Sequence, residues 1–421
     1  MKHLEKVSVS SKDFKKYKKF TPKLVKRCQS LADKIKNKKI IHINSTQLGG
    51  GVSELLRTQV PLEKDLGVNS QWFIIKDSHD FFAITKKIHN LLQGKKGSLT
   101  QKEKDFYINW TKEKISPSFK ELLSKEKPDL IVIHDPQPLP LIDYTPKEVP
   151  SIFRFHIDLS RPNQETFNFL KPLVQKYQSV IFTHPSYKPK WIKKKNSKII
   201  MPAIDPFSTK NQLIKKNKAE KILTLYNIHT EKPLISQVSR FDPWKDPLGA
   251  LKAYYIAKNE IPDLQLILAG IFQANDDPEA REMFEKVKKQ AKGDPEVFLF
   301  AEESDLRKLS NDKFISAVYT ASDAVMQKSL KEGFGMTVTE AMWKCKPVVG
   351  GDTKGIGLQI KHKKNGYLVE SPEEAAKYLV KLLQDKKLTK KIGQAAHESV
   401  RKNFLFSRYI LDNLKSYKSL I

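Results

Sequence analysis

The chain has 421 residues, of which 39% are hydrophobic, and this length and composition predict two or three domains with apolar cores. No apolar run is long enough to cross a bilayer and no apolar segment follows the first residues, so we expect a cytoplasmic protein without a membrane span. The two cysteines, Cys28 and Cys345, are too few for a disulfide framework or a zinc site.

The formal net charge of +29 raises the alternative that the protein binds nucleic acid. The lysines are spread along the chain, however, and no RNP, zinc-finger or KH-type signature accompanies them. We therefore interpret the charge as a lysine-rich surface that helps to attract an anionic substrate, and we expect no specific nucleic-acid partner. A basic nucleic-acid-binding protein remains the alternative from outside the enzymes.

The first half of the chain alternates predicted strands and helices. After a polar, lysine-rich lead-in at 1–38 that has helical spacing, a strand at 39–43 runs into a glycine-rich loop and a helix from Val52, which Pro61 should kink or shorten. This order suits phosphate binding, although a simple turn explains the loop equally well. Further strands are predicted at 71–75, 129–134, 151–156, 180–183 and 198–200. The alternation indicates a doubly wound, mostly parallel sheet.

Two of these strands carry polar side chains where they end. Asp135 follows the strand at 129–134, and His156 and Asp158 lie at the end of the next one. The carboxyl ends of parallel strands face the ligand crevice, so these residues are candidates for substrate binding. A satisfied core histidine is the alternative for His156, and we interpret His134 as structural.

The second half repeats this alternation without a sequence repeat. Its strands are predicted at 234–239, 264–270, 297–300 and 324–327, and helices fill the end of the chain. The predicted domains are an N-terminal Rossmann-like domain at 1–215, a C-terminal Rossmann-like domain at 216–400 and a final helix at 401–421. We expect that helix to pack back on the N-terminal domain.

Two loops of the second half carry groups suited to a ligand. Arg240 and Lys245 follow the strand at 234–239; a guanidinium that bonds two oxygens beside a mobile ammonium suits a diphosphate. The segment 331–340 places Glu332 before a Gly-Phe-Gly turn and Glu340 on the following helix. Glycines allow a close approach of the backbone, and two carboxylates can hold two sets of hydroxyls. An ordinary pair of surface cations and a tight turn with solvated glutamates are the alternatives.

Residues 239–247 and 327–344 resemble retaining nucleotide-sugar glycosyltransferases of the GT-B fold. Four other segments narrow the resemblance to the trehalose-forming glycosyltransferring synthases, namely 49–56, 133–142, 155–160 and 202–206. The similarity extends over most of the chain. It implies two Rossmann-like domains that face a central cleft, and the reversible transfer of glucose from a nucleoside-diphosphate glucose to glucose, which forms trehalose with retention.

The resemblance also implies roles for individual residues. Donor binding is expected from Gly50, Gly51, Arg240, Lys245, Glu332, Gly333, Phe334, Gly335 and Glu340. Acceptor binding is expected from Asp135, His156 and Asp158. Catalytic roles are expected from His156, Arg240, Lys245 and Glu332.

The resemblance implies no metal site and no required cofactor, although a divalent cation could stimulate the reaction. The expected partners are the nucleoside-diphosphate glucose and glucose or trehalose, with a homodimer as one assembly to test. The donor nucleotide stays open between UDP, ADP and GDP. A trehalose phosphorylase of the same fold and a GT-B transferase with another acceptor are the alternative enzymes.

Overall fold

The computed structural model describes residues 1–48, 50–76, 78–272 and 278–421. They form two compact units, one made of Met1–Ala203 with Phe406–Ile421 and the other of Ile204–Leu405. The first unit ends before the predicted boundary at 215, because the segment 204–215 packs within the second unit. There Ile204 pairs with Leu405, and Trp343 Nε1 donates to the Asn211 carbonyl at 3.0 Å.

The first unit is built on one twisted sheet of short strands. In chain order the strands are β1 (Leu4–Lys6), β2 (Lys39–Asn44), β3 (Asn69–Ile75), β4 (Leu130–His134), β5 (Ser151–Arg154), β6 (Ser179–Phe182) and β7 (Ser197–Ile199). Their spatial order is β1-β3-β2-β4-β5-β6-β7, and neighbours run parallel except for β1 and β3. Strands β2 and β4 are buried along almost their whole length, as expected of parallel strands covered on both faces.

The helices of the first unit cover this sheet. They are α1 (Pro22–Ala32), α2 (Gly50–Asp65), α3 (His79–Leu92), α4 (Gln101–Trp110), α5 (Ser116–Glu126) and α6 (Gln164–Val174), and the last helix of the chain, α15 (Phe406–Lys418). Helix α15 lies against α1, where Thr21 Oγ1 donates to Ser407 Oγ at 2.7 Å.

Two local predictions for the first unit hold only in part, although the lead-in is helical at Phe14–Lys19 and Pro22–Ala32. The lead-in at 1–38 is not helical throughout, because β1 pairs antiparallel with β3 and buries Leu4 in the core. A three-residue strand is too short to show an alternating pattern. Helix α2 is not shortened at Pro61 and continues to Asp65, since burial of the following Leu62 and Glu63 holds the last turn in place.

The second unit is also built on one sheet. Its strands are β8 (Leu234–Val238), β9 (Gln265–Ala269), β10 (Val297–Phe300), β11 (Ala324–Gln327), β12 (Val348–Gly351) and β13 (Tyr367–Val369). The spatial order is β10-β9-β8-β11-β12-β13 with all described pairs parallel, which is the strand order of nucleotide-binding Rossmann folds.

The helices of the second unit alternate with these strands. They are α7 (Lys216–Thr224), α8 (Pro247–Lys258), α9 (Pro278–Ala291), α10 (Asn311–Ala321), α11 (Met336–Trp343), α12 (Lys354–Gly357), α13 (Pro372–Gln384) and α14 (Lys386–Asn403). Several start with a proline, whose fixed φ and missing N–H suit the first helical turn. None of the described helices, in either unit, has the length and apolar character needed to cross a membrane.

Candidate active site

The loops that leave β8 and β11 lie side by side in the second unit. The two strands are parallel neighbours, with Met326 opposite Gln237, and the order of the sheet reverses between them. In open α/β sheets, ligands bind outside the carboxyl ends of the strands at such a reversal. The predicted diphosphate loop and the predicted Glu-Gly-Phe-Gly loop therefore share one edge of one sheet.

One buried amide fixes both loops. Gln237 Nε2 donates to the Lys245 carbonyl at 3.0 Å, and Gln237 Oε1 accepts from the Lys328 backbone N–H at 3.0 Å. The Trp244 carbonyl accepts from the Leu330 N–H at 2.8 Å. Because Gln237 is buried, its amide holds each loop in a fixed position relative to the other. The sequence analysis did not identify this residue.

Two ion pairs join the same loops. Lys245 Nζ donates to Glu332 Oε2, and both side chains are mostly buried. Lys328 Nζ donates to Asp246 Oδ2 at 2.5 Å, and its side chain is only 5% exposed. Arg240 differs, since its side chain is 62% exposed and its guanidinium contacts Asp242 Oδ2 at 3.0 Å. The loop after β8 thus carries an exposed guanidinium and an ammonium that is paired with a carboxylate of the loop after β11.

The Gly-Phe-Gly turn starts helix α11 with a left-handed residue. Gly335 has φ of 85°, and a Cβ placed on it would lie 3.0 Å from Glu332 Cγ. Gln359 Nε2 donates to the Phe334 carbonyl at 2.5 Å and to the Gly335 carbonyl at 3.1 Å. Glycine is therefore required here by both the backbone angle and the space that Glu332 occupies.

Glu340 lies in the second turn of α11 and is almost fully buried. Its carboxylate contacts Lys210 Nζ at 2.6 Å and accepts from the Tyr319 hydroxyl at 3.4 Å. Lys210 is a partner that the sequence analysis missed, and it lies far from Glu340 in the chain. Glu340 can bond ribose hydroxyls as predicted only if its carboxylate accepts from them while it still contacts Lys210, or if they replace Lys210 as its partner.

In the first unit the predicted residues lie at the ends of β2, β4 and β5. Gly50 and Gly51 begin α2, Gly50 has φ of 79°, and no described atom beyond its chain neighbours lies within 4 Å of a Cβ built on it. Gly49, the first glycine of the predicted loop, lies outside the described residues. Arg57 Nη2 donates to the Gln47 carbonyl at 2.7 Å and so ties the described part of the loop to α2.

Asp135 and His156 are brought together, whereas Asp158 has a local role. Asp135 Oδ1 accepts from the His156 backbone N–H at 2.9 Å, and Asp135 itself has a left-handed φ of 62°. Burial raises the pKa of the Asp135 carboxyl to about 7, against the opposing effects of that hydrogen bond and of Arg154. Asp158 Oδ1 accepts from the Ser160 N–H at 2.7 Å and so supports its own turn.

The His156 ring is held by a neighbour from β4. His156 Nε2 lies 2.9 Å from His134 Nδ1, so the prediction that His134 is structural misses a direct contact with a candidate site residue. Among the described residues no group of three or more His, Cys, Asp or Glu side chains is arranged to hold a metal ion.

Two family models match the chain. The model described as trehalose synthase, N-terminal domain, matches residues 42–189, and the model described as glycosyl transferases group 1 matches residues 219–399. A trehalose synthase of Pyrococcus horikoshii is 39% identical over 401 residues, which are 93% of each chain. A trehalose phosphorylase of Pleurotus pulmonarius is 28% identical over 419 residues, but these are 88% of this chain and only 56% of the phosphorylase.

A solved structure supports the fold. The UDP-forming α,α-trehalose-phosphate synthase of Burkholderia xenovorans matches with a TM-score of 0.70 at 10% identity, over 91% of this chain and 99% of that one. At this identity the likeness concerns the fold alone, and it agrees with the two Rossmann-like sheets. The predicted GT-B fold and the predicted resemblance are confirmed. The chain therefore belongs to the trehalose synthase family, and it is a hexosyltransferase of the GT-B fold.

Proposed function

We propose that the protein transfers glucose from a nucleoside-diphosphate glucose to glucose and forms trehalose with retention at the donor carbon. The observation that carries this proposal is the contact between Lys245 and Glu332 at the carboxyl edge of the second sheet, with the exposed guanidinium of Arg240 on the same loop. Cations suited to a diphosphate and a carboxylate suited to sugar hydroxyls are adjacent there, as a nucleotide sugar requires. The trehalose synthase relatives support the choice of product.

In this proposal the cations stabilise the leaving group. As the bond between the donor C1 and the phosphate oxygen breaks, negative charge builds up on the diphosphate, and Arg240 and Lys245 offset that charge. Glu332 would then hold hydroxyls of the glucosyl group and Glu340 those of the ribose. Backbone N–H groups of Gly333, Phe334 and Gly335 would complete the donor site.

The acceptor hydroxyl would attack C1 from the face that the diphosphate leaves. The new bond joins C1 to the acceptor oxygen, and the hydroxyl proton passes to the departing phosphate oxygen, so no separate protein base is needed. Asp135, His156 and Asp158 would bind sugar hydroxyls in the first unit, where Gly50 and Gly51 would allow the α2 loop to approach the donor. We propose no required cofactor or metal ion.

The test is a product assay with each donor. The protein is incubated with glucose and UDP-, ADP- or GDP-glucose, and trehalose and the free nucleoside diphosphate are measured. We expect equal amounts of both products with at least one donor, and we expect the Arg240→Ala and Glu332→Ala variants to lose most of this activity. Arg281→Ala is the matched control, because Arg281 is another exposed arginine paired with an acid at 3.0 Å, namely Glu302. Turnover by Arg240→Ala equal to that of the control would refute the assigned site.

The phosphorylase relatives support a second candidate. A trehalose phosphorylase would release glucose 1-phosphate from trehalose and inorganic phosphate, with no nucleotide present. Glucose 1-phosphate in that assay, combined with no trehalose from any nucleotide sugar, would replace the proposed donor with phosphate. A GT-B transferase with another acceptor would form a different disaccharide when that sugar replaces glucose, and the same product analysis would detect it.

A further inference from the structure

Three histidines of the first unit form a hydrogen-bonded row across neighbouring strands. His42 lies on β2, His134 ends β4 and His156 follows β5, and these strands are adjacent in the sheet. His42 Nδ1 is 3.1 Å from His134 Nε2, and His134 Nδ1 is 2.9 Å from His156 Nε2. The first two rings are fully buried and His156 is partly exposed. The row therefore runs from the core to a candidate sugar-binding residue.

A buried glutamate ends the row inside the core. His42 Nε2 lies 3.4 Å from Glu63 Oε2, and the same oxygen accepts from the Ser70 hydroxyl. Glu63 Oε1 accepts from Gln59 Nε2 at 2.8 Å and from the Tyr417 hydroxyl at 3.0 Å. A carboxylate has acceptor sites for all of these donors. Both carboxylate oxygens of Glu63 therefore act as hydrogen-bond acceptors.

The acceptor role of Glu63 sets the direction of every hydrogen bond in the row. Because Glu63 only accepts, His42 must carry its proton on Nε2, which leaves His42 Nδ1 as an acceptor. His134 must then donate from Nε2 and accept at Nδ1, and His156 must donate from Nε2. The remaining ring nitrogen of His156, Nδ1, is left without a proton.

This argument requires that the rings carry one proton each. Burial is the main cause that lowers the pKa of both His134 and His156 well below the ordinary value, and the nearby Arg154 guanidinium lowers both further. Arg154 is held in the core by Asn413 Oδ1 and the Ile200 carbonyl, each at 3.1 Å. Burial, together with the Arg154 guanidinium, thus keeps His134 and His156 neutral, and a neutral imidazole exists as one of two tautomers.

We propose that Glu63, His42 and His134 are positioning residues that hold His156 as the tautomer with its proton on Nε2, so that His156 Nδ1 accepts a hydrogen bond from a sugar hydroxyl. The tautomer assignment stands on the geometry of the first unit, and only the sugar contact rests on the proposed function. Nothing in the sequence spacing reveals the row, because its members come from four separate elements.

The tautomers are measured directly by nitrogen NMR of the full chain labelled with ¹⁵N-histidine, without substrate. Couplings between ring nitrogens and carbon-bound ring protons show which nitrogen carries the proton. Single histidine substitutions assign the signals of the ten histidines. We expect His42, His134 and His156 all to be neutral and protonated on Nε2 at pH 7. Protonation of His156 on Nδ1 would overturn the proposal.

The Glu63→Gln variant should reverse the direction of each hydrogen bond in the row. An amide in place of the carboxylate keeps its oxygen toward Gln59 and Tyr417, which both donate, and so turns its NH₂ group toward His42. His42 Nε2 then accepts, and each ring in turn moves its proton to Nδ1. The matched control is Tyr417→Phe, which removes a donor from Glu63 Oε1 but leaves the Oε2 contact with His42. We expect no tautomer change in the control, and an unchanged row in Glu63→Gln would overturn the proposal.

A second variant covers the case in which Glu63→Gln fails to fold. His134→Phe interrupts the row, so His156 should become a mixture of tautomers while His42 stays protonated on Nε2. If His156 stayed fully protonated on Nε2, its tautomer would not depend on the row.

In the product assay, kcat/KM of Glu63→Gln should fall about tenfold, which corresponds to one mismatched hydrogen bond, while kcat/KM of Tyr417→Phe should not change. The NMR result needs no turnover, so it can be read even if the proposed reaction fails.

Discussion

Lys245 Nζ contacts Glu332 Oε2 and so joins the loop after β8 to the loop after β11 at the carboxyl edge of the second sheet. The pair neutralises two groups that would serve different parts of one donor, a diphosphate and a sugar. A bound diphosphate would give Lys245 a second negative partner, and sugar hydroxyls would give Glu332 new donors. In the proposed reaction, this contact would orient both side chains before the donor binds and so lower the reorganisation needed.

Lys245→Met should lower kcat about a hundredfold or more, because one cation that offsets the charge of the leaving group is lost. The matched control is Lys258→Met, since Lys258 pairs with Asp294 at 2.8 Å with a similar burial of both side chains. Steady-state kinetics with the preferred donor measure both. Both variants should lose similar stability, and only Lys245→Met should lose activity. Equal kcat values for the two variants would contradict the role of Lys245.

Lys328→Met should destabilise the second unit without removing a predicted ligand-binding group. The buried Lys328 ammonium contacts Asp246 Oδ2, while Asp246 Oδ1 accepts from the Gly249 N–H at 3.0 Å and so caps α8. Removing the cation leaves a poorly solvated carboxylate, which costs about 3 kcal/mol. Urea unfolding followed by fluorescence measures the loss. The exposed pair of Lys252 and Glu373 provides the control, since Lys252→Met should cause no measurable change.

Most residues of the candidate site were identified from short stretches of sequence, and their roles stay predictions. Arg240 and Lys245 lie on one loop, and Glu332 and Glu340 are separated by one turn and part of a helix, so local spacing was enough to group them. The long apolar runs that became β2, β4, β8 and β9 were equally clear, because strands buried on both faces have no polar alternation.

The partners of these residues were not predictable in the same way. Lys210 reaches Glu340, and Glu63 reaches His42, only because separate elements pack together. A lysine in a lysine-rich chain gives no signal of its own, and a glutamate in an amphipathic helix is usually solvated. The role of Gln237 could not be predicted either, because the residues around it on β8 indicate only an ordinary buried strand.

Asp135→Asn should change the pH dependence of stability. The pKa of the Asp135 carboxyl is about 7 in the folded protein and near 3.8 when unfolded, so the folded state disfavours its ionised form. The loss of folding stability caused by the ionised carboxyl is absent below pH 4, grows between pH 4 and pH 7, and stays constant above pH 7. Asparagine tolerates the left-handed backbone and can still accept from the His156 N–H.

Thermal unfolding at several pH values tests this prediction. The variant should equal the wild type at pH 4 and exceed it at pH 8, with the difference developing between the two. Asp158→Asn is the control, because the Asp158 carboxylate accepts a backbone N–H in its own turn and is expected to give no comparable gain at high pH. A wild type that is more stable than Asp135→Asn at pH 8 would contradict the burial argument.

Gly335→Ala should damage both stability and donor binding. Alanine strains the backbone at φ of 85°, which costs about 1 kcal/mol, and its Cβ would lie 3.0 Å from Glu332 Cγ and 3.5 Å from Ile356 Cγ1. The new methyl group should therefore push Glu332 away from Lys245 and raise KM for the donor.

Gly357→Ala provides the matched control in the same unit. Apart from its chain neighbours and its own helix backbone, no described atom lies within 4 Å of a Cβ at Gly357. The residue ends the short helix α12, so alanine should leave stability unchanged or raise it by about 0.5 kcal/mol. Unfolding curves and donor KM values are measured for both variants. If Gly335→Ala lost stability but kept the wild-type donor KM, the turn would matter for folding alone, and the predicted link between Gly335 and the position of Glu332 would be wrong.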